Sequence, residues 1–217
     1  MADLFSSPER VRWMDGAEVM DIDEDALRKG ILAPRLYGHA RIPVSRNLMQ
    51  AAKGGPRRDA TGALSGAAAE VVARMDDRTL YIIGPGTSAG SVVSAAGQTP
   101  TILGVDAMLN REVVARDADD ATLQRLAEDR DVRIVLGVTG QQGFLLGRGN
   151  QQIGPALITK AGRDGLIILA TEDKLTALAQ PRLLVDTGDP DLDATLEGFV
   201  RVSSGANRQM MMRIASC

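Results

Sequence analysis

From Thr79 onward, short apolar runs recur between helical or glycine-rich stretches: LYII, TILGV, RIVLGV, LIILA and LLVD. Each run is nearly continuous in hydrophobic character, the pattern of a strand buried on both faces of a parallel sheet. The segments between them carry helix signals. Residues 87 to 96 predict a helix that Gly97 ends, and residues 119 to 129 place Leu123, Leu126 and Ala127 on one face behind an acidic first turn. Pro155 suits the start of a helix through ALITKAG, and Thr171 can cap EDKLTALA. Upstream, apolar residues from Ala60 to Met75 repeat at i, i+3 and i+4, which predicts an amphipathic helix laid on the sheet. The fold class that follows is α/β, an open, mostly parallel doubly wound sheet.

The chain before that helix has a different pattern. EVMDID and RLYGHARIPV read as strands around a helical turn, EDALRKG, which Gly30 can terminate, and KGGPRRDATG reads as a loop or linker. Residues 1–55 are therefore expected to form a smaller strand-rich N-terminal part, and residues 56–217 the α/β domain.

Composition narrows the function classes. The 217 residues, 44% of them hydrophobic, can bury a full core. A net charge of -3 offers no broad basic field, and three Phe, two Tyr and one Trp offer few rings for base stacking. Nucleic acid and anionic membrane surfaces are excluded as partners on those grounds. Nor does any run approach the roughly 18 to 20 apolar residues of a membrane span, and no basic, then apolar leader opens the chain. The one cysteine, Cys217, permits no internal disulfide, which fits a reducing, cytoplasmic setting. Met210 to Met212 read as core or as a contact between copies, and a homo-oligomer is expected.

Two glycine-rich bends are the candidate sites. In LYIIGPGTSAGS, a strand, a turn with Gly84 and Gly86, and a helix starting at Thr87 and Ser88 bring backbone amides and a helix dipole to one spot, an outline for binding phosphate. Asp106, placed at the end of the next predicted strand, could hold ribose hydroxyls. In GQQGFLLGRGNQQ, Gly140, Gly143 and Gly149 would let the backbone approach a ligand, Arg148 could clamp a phosphate or carboxylate, and Asn150 and Gln151 offer both donors and acceptors. Each bend can equally be a structural turn. Lys174 follows a strand and could face the same crevice, and Asp186, at a strand's carboxyl end, is the candidate magnesium ligand within the acidic run DTGDPDLD. DIDED, at 21 to 25, is a second acidic run. His39, the only histidine, is expected to be structural or at the surface. Both bends are expected at the carboxyl edge of one sheet, jointly enclosing a small anion.

GQQGFLLGRGNQQIGP, with IIGPGTS, TILGVDAM, VMDIDEDALRKG and LLVDTGD, resembles the ATP-NAD kinase family, and within it the branch that includes the acetoin catabolism protein X. The resemblance runs from about Ala17 to about Gly205 and covers the carboxy-terminal portion of that family. It implies a phosphoryl transfer from ATP to NAD giving NADP, with ATP, NAD and Mg2+ as the small molecules involved. The family's Gly-Gly-Asp-Gly motif, which carries its catalytic aspartate, does not occur in this sequence. Residues 1–55 would then be the remnant of a larger domain, and a separate N-terminal kinase half is a possible partner. The alternative is a non-catalytic domain that binds a nucleotide or a phosphorylated metabolite.

Overall fold

A computed structural model describes residues 12–22, 34–44, 58–139 and 143–217. The chain divides into two compact units, Met1–Gly55 and Pro56–Cys217. In the first, β1 (Arg12–Ile22) and β2 (Pro34–Val44) form an antiparallel pair whose register shifts at two places. Arg41 lies 5.5 Å from the Trp13 ring centroid and pairs with Asp15 at 3.1 Å, both on exposed faces of the ribbon. His39 is exposed on β2. The turn EDALRKG, the carboxylates of DIDED and Gly140 to Gln142 lie outside the described residues or side chains.

The second unit is an α/β layer structure. Its strands are β3 (Leu80–Ile83), β4 (Asp106–Leu109), β5 (Glu112–Ala115), β6 (Val132–Gly137), β7 (Phe144–Leu146), β8 (Leu166–Leu169), β9 (Arg182–Val185), β10 (Gly198–Gly205) and β11 (Arg208–Ser216). They form one nine-stranded sheet in the order β5-β4-β3-β6-β8-β10-β11-β9-β7. Most neighbours are parallel; β3–β4, β4–β5 and β10–β11 are antiparallel. An isolated antiparallel bridge, Thr139 to Phe144, links the tip of β6 to the start of β7, so the far half of the sheet curls back toward its centre.

Both faces are covered, which explains the unbroken apolar runs. Leu80, Ile82, Ile134, Leu136 and Ile168 point to one face, under α3 (Asp120–Ala127), α4 (Pro155–Ala161), α5 (Glu172–Thr176) and α6 (Pro190–Leu196). Tyr81, Ile83, Val135 and Leu169 point to the other, under α1 (Arg58–Ala73) and α2 (Thr87–Ala95). The helix signals hold. Asp119 accepts the Thr122 N–H at 2.9 Å at the start of α3, Thr171 accepts the Lys174 N–H at 3.3 Å, and Pro155 opens α4. Gly97, at φ +78, follows α2 and donates to Ser94 O at 3.0 Å.

Two expectations are corrected. TILGV is not a strand: residues 101 to 105 are irregular, and the strand is the next four residues, Asp106–Leu109, paired antiparallel to β3 and turned at Asn110 and Arg111 into β5. Both turn residues have positive φ, 50° and 63°, the mirror-image turn that suits the twist of a two-stranded hairpin. Arg111 compensates for its strained backbone by donating to Met75 O at 2.8 Å and pairing with Asp77 at 2.6 Å, which ties the hairpin to the end of α1. The predicted linker also gives way early, because α1 begins at Arg58.

Candidate functional site

At the carboxyl end of β3 the chain turns through Gly84, Pro85 and Gly86 into α2. The two glycine amides are already used: Gly84 donates to Val135 O at 2.8 Å and Gly86 to Ile102 O at 2.7 Å. They fix the turn and are not donors to a ligand. Gly86 is the helix cap at φ +100, and no side chain caps α2. The first helical bond runs from the Gly90 N–H to Gly86 O, so the Thr87, Ser88 and Ala89 amides have no acceptor within the helix. Ala89 is fully buried, while Thr87 is exposed and Ser88 half-buried, so the amides of those two residues are presented outward at the positive end of the dipole. A Cβ on Gly137 would stand 3.1 Å from the Ser88 Cβ, so the bare backbone of β6 lets the turn lie against the sheet.

The second bend is mostly occupied by its own bonds. Asn150, 4% exposed, donates from Nδ2 to Leu145 O at 2.7 Å and accepts the Gly147 N–H on Oδ1 at 3.0 Å. A side chain on Gly147 would run into the Asp186 carbonyl, and one on Gly143 would meet Arg182 O at 3.0 Å, so both glycines serve close strand packing. Gln151 bonds weakly to Gly147 O at 3.4 Å, and Gly149, at φ +78, has open space around it. Arg148 lies exposed with its guanidinium 4.2 Å from the Phe144 centroid. It shares its surroundings with Asp186 and Cys217: burial, then the Asp186 carboxylate, push the thiol up from its ordinary value while Arg148 pulls it back. The ends of β7, β9 and β11 thus bring Arg148, Asp186 and Cys217 together.

The two bends do not enclose one ligand as expected. β3, β6, β8 and β10 run in one direction, and β11, β9 and β7 in the other, so the carboxyl end of β7 faces away from that of β3. The chain after the second bend comes back to the first through Ile153, whose Cδ1 lies 4.0 Å from where a Gly84 Cβ would sit, an apolar contact. Asp106 is equally withdrawn. It is 1% exposed, it begins β4, and it accepts the Thr101 N–H at 2.7 Å and the Asp117 N–H at 3.2 Å, which pins the loop before it. Lys174 does share the carboxyl edge with Thr87 and Ser88, one turn into α5 after β8. Partial burial pushes its ammonium down from the ordinary value of 10.5, and among the described residues its Nζ has no acceptor.

A family model for the ATP-NAD kinase C-terminal domain matches residues 81–214, more than half of the chain. The chain belongs to the ATP-NAD kinase family. No curated protein and no solved structure matches it. For a member of this family the donor set bears directly on magnesium. Among the described residues no three His, Cys, Asp or Glu side chains converge, and Asp193, in the same acidic run as Asp186, accepts the Thr187 hydroxyl at 2.7 Å. That set does not fit a resident cation held by protein alone. The sequence reading groups Gly84, Gly86, Thr87 and Ser88 as one anion cradle; the structure divides them, with the Gly84 and Gly86 amides bonded to Val135 O and Ile102 O and those of Thr87 and Ser88 left without an acceptor in the helix.

Proposed function

We propose that residues 56–217 form the nucleotide-binding part of an ATP-NAD kinase of the branch that includes the acetoin catabolism protein X, working in phosphoryl transfer from ATP to the 2′-hydroxyl of NAD. The observation that carries the reading is the uncapped start of α2, at the end of β3, inside the region that matches the family. There the Thr87 and Ser88 amides would receive phosphate oxygens, with Gly84 and Gly86 shaping the turn and Lys174 supplying charge from the same edge. Such chemistry depends on positioning and on neutralising charge. Magnesium enters as part of the ATP complex, because Mg2+ keeps waters and substrate phosphates as ligands and uses few protein groups. Arg148, Gly149 and Asp186 form a separate polar patch at the ends of β7, β9 and β11, which face away from the α2 turn, and take no part in the phosphate contact. Asp106, Gly143, Asn150 and Gln151 hold loops.

No Gly-Gly-Asp-Gly occurs in this sequence, so the base for the 2′-hydroxyl has to come from another polypeptide segment. We infer that the 217 residues bind nucleotide without turning it over, in the cytoplasm and as a homo-oligomer or with a separate kinase half. Calorimetry with ATP, NAD and NADP tests binding, and a coupled NADP assay tests turnover. Thr87→Pro is the informative variant, since proline is accepted at the first helical position yet deletes one outward amide. Several-fold weaker ATP binding with α2 intact is expected. Unchanged affinity for all three nucleotides would remove the α2 turn from the site. The rival reading, a binder with no kinase role, predicts the same affinities and no NADP even when a Gly-Gly-Asp-Gly polypeptide is added.

A further inference from the structure

α1 does not cover the whole of the sheet face it packs on. Over the amino-terminal half of β3, β6, β8 and β10 a cleft of about 570 Å³ stays open between α1 and the strands. Its floor is apolar, made by Tyr81 and Ile167. Two arginines intrude on this floor. Val135 on β6 is level with Ile167 on β8, which is level with Arg201 on β10, and Arg133 lies one pleat before Val135 on the same face. Arg133 and Arg201 are thus two strands and two residues apart, about 12 Å between Cα atoms from ordinary strand spacings, with β8 between them. Two extended guanidinium side chains can close that gap over Ile167.

Neither arginine has a partner among the described residues, whereas the acids on the α1 side do. Glu70 is shared between Arg74 at 3.8 Å and the Asn207 N–H at 2.6 Å, and Asp76 accepts the Arg78 N–H at 2.7 Å. Asp131, two residues before Arg133, also lines the cleft, and its carboxylate opposes an anion beside it. An anion held between the two guanidiniums meets two positive charges against that one negative charge. Planar, permanently charged forks above an apolar floor suit a phosphate group carried on a small body.

We propose that this cleft is a binding site for a small phosphate-bearing ligand, held by Arg133 and Arg201 at the end of the strands opposite to the α2 turn. It does not depend on the kinase reading. The test is calorimetric titration of the full chain at low salt with inorganic pyrophosphate and, separately, with ADP. Each titration is repeated in Thr87→Pro, so that uptake at the start of α2 is counted apart. Binding that weakens tenfold or more in both Arg133→Gln and Arg201→Gln, with unchanged circular dichroism, is the expected result. Tighter binding of ADP than of pyrophosphate would identify a nucleotide lying on the apolar floor, and equal binding a phosphate alone; both support the site. If a Gln variant unfolds, Arg133→Lys and Arg201→Lys keep the charge, lose the fork, and should still weaken binding several-fold. Wild-type affinities that survive in every arginine variant, or no uptake of either probe by the wild type, would overturn the proposal.

Discussion

Asn150 illustrates how burial redirects a polar side chain. As part of an amide-rich run it reads as a ligand contact, but at 4% exposure its amide must be satisfied internally, and Leu145 O and the Gly147 N–H use it. Asn150→Ala leaves both groups unpaired and should cost about 1–3 kcal/mol, read as a lower urea midpoint at unchanged slope. Lys174 gives a prediction with a pH signature. Its folded pKa is depressed by partial burial, so the charged form is disfavoured in the folded chain at every pH where the unfolded chain is protonated. Stability should therefore rise with pH between the folded value and 10.5. Lys174→Met is expected to raise the melting temperature at pH 7, with the gain shrinking as pH approaches that of the free side chain; a gain that is constant with pH would mean the effect is packing alone. Lys174 is legible in the sequence because it follows a strand, which needs no tertiary information. The same reasoning points to Asp106, but its strand begins where it was expected to end, and its carboxylate accepts the Thr101 and Asp117 amides.

At the scale of elements, capping chemistry was the most readable feature. Asp189 precedes Pro190 and accepts the Asp191 and Leu192 amides at 3.0 and 3.1 Å, so the acidic run that reads as a metal candidate also starts a helix. Asp189→Ala should cost about 1 kcal/mol, measured by urea denaturation, with the effect confined to α6 in hydrogen exchange. Strand assignment by apolar run fared differently. TILGV is apolar because Val105 is fully buried, yet it forms no ladder, and the Gly86 N–H bonds Ile102 O instead. A buried loop and a buried strand look alike in composition, and only the pairing partner tells them apart. The β4–β5 and β10–β11 hairpins escaped for a related reason: their turns, Asn110–Arg111 and Ala206–Asn207, lack the Asn-Gly signal and rely on side-chain ties or on a bulge near Gly205.

For the whole molecule, the sheet with helices on both faces carries the stability. Ile134, at 0% exposure in the middle of β6, touches the larger core, and Ile134→Ala should cost about 2–5 kcal/mol in a single cooperative transition of the second unit. At the same scale, the purified chain is expected to form no NADP from ATP, Mg2+ and NAD; sustained product formation would show that the catalytic base lies within these residues. The sequence by itself determined the layers, the helix starts and the family, since these rest on local periodicity, capping side chains and residue order. Only the tertiary structure decided which polar groups are free to meet a ligand, because strand direction sends the ends of β3 and β7 opposite ways and neighbouring carbonyls claim the glycine amides before any anion could.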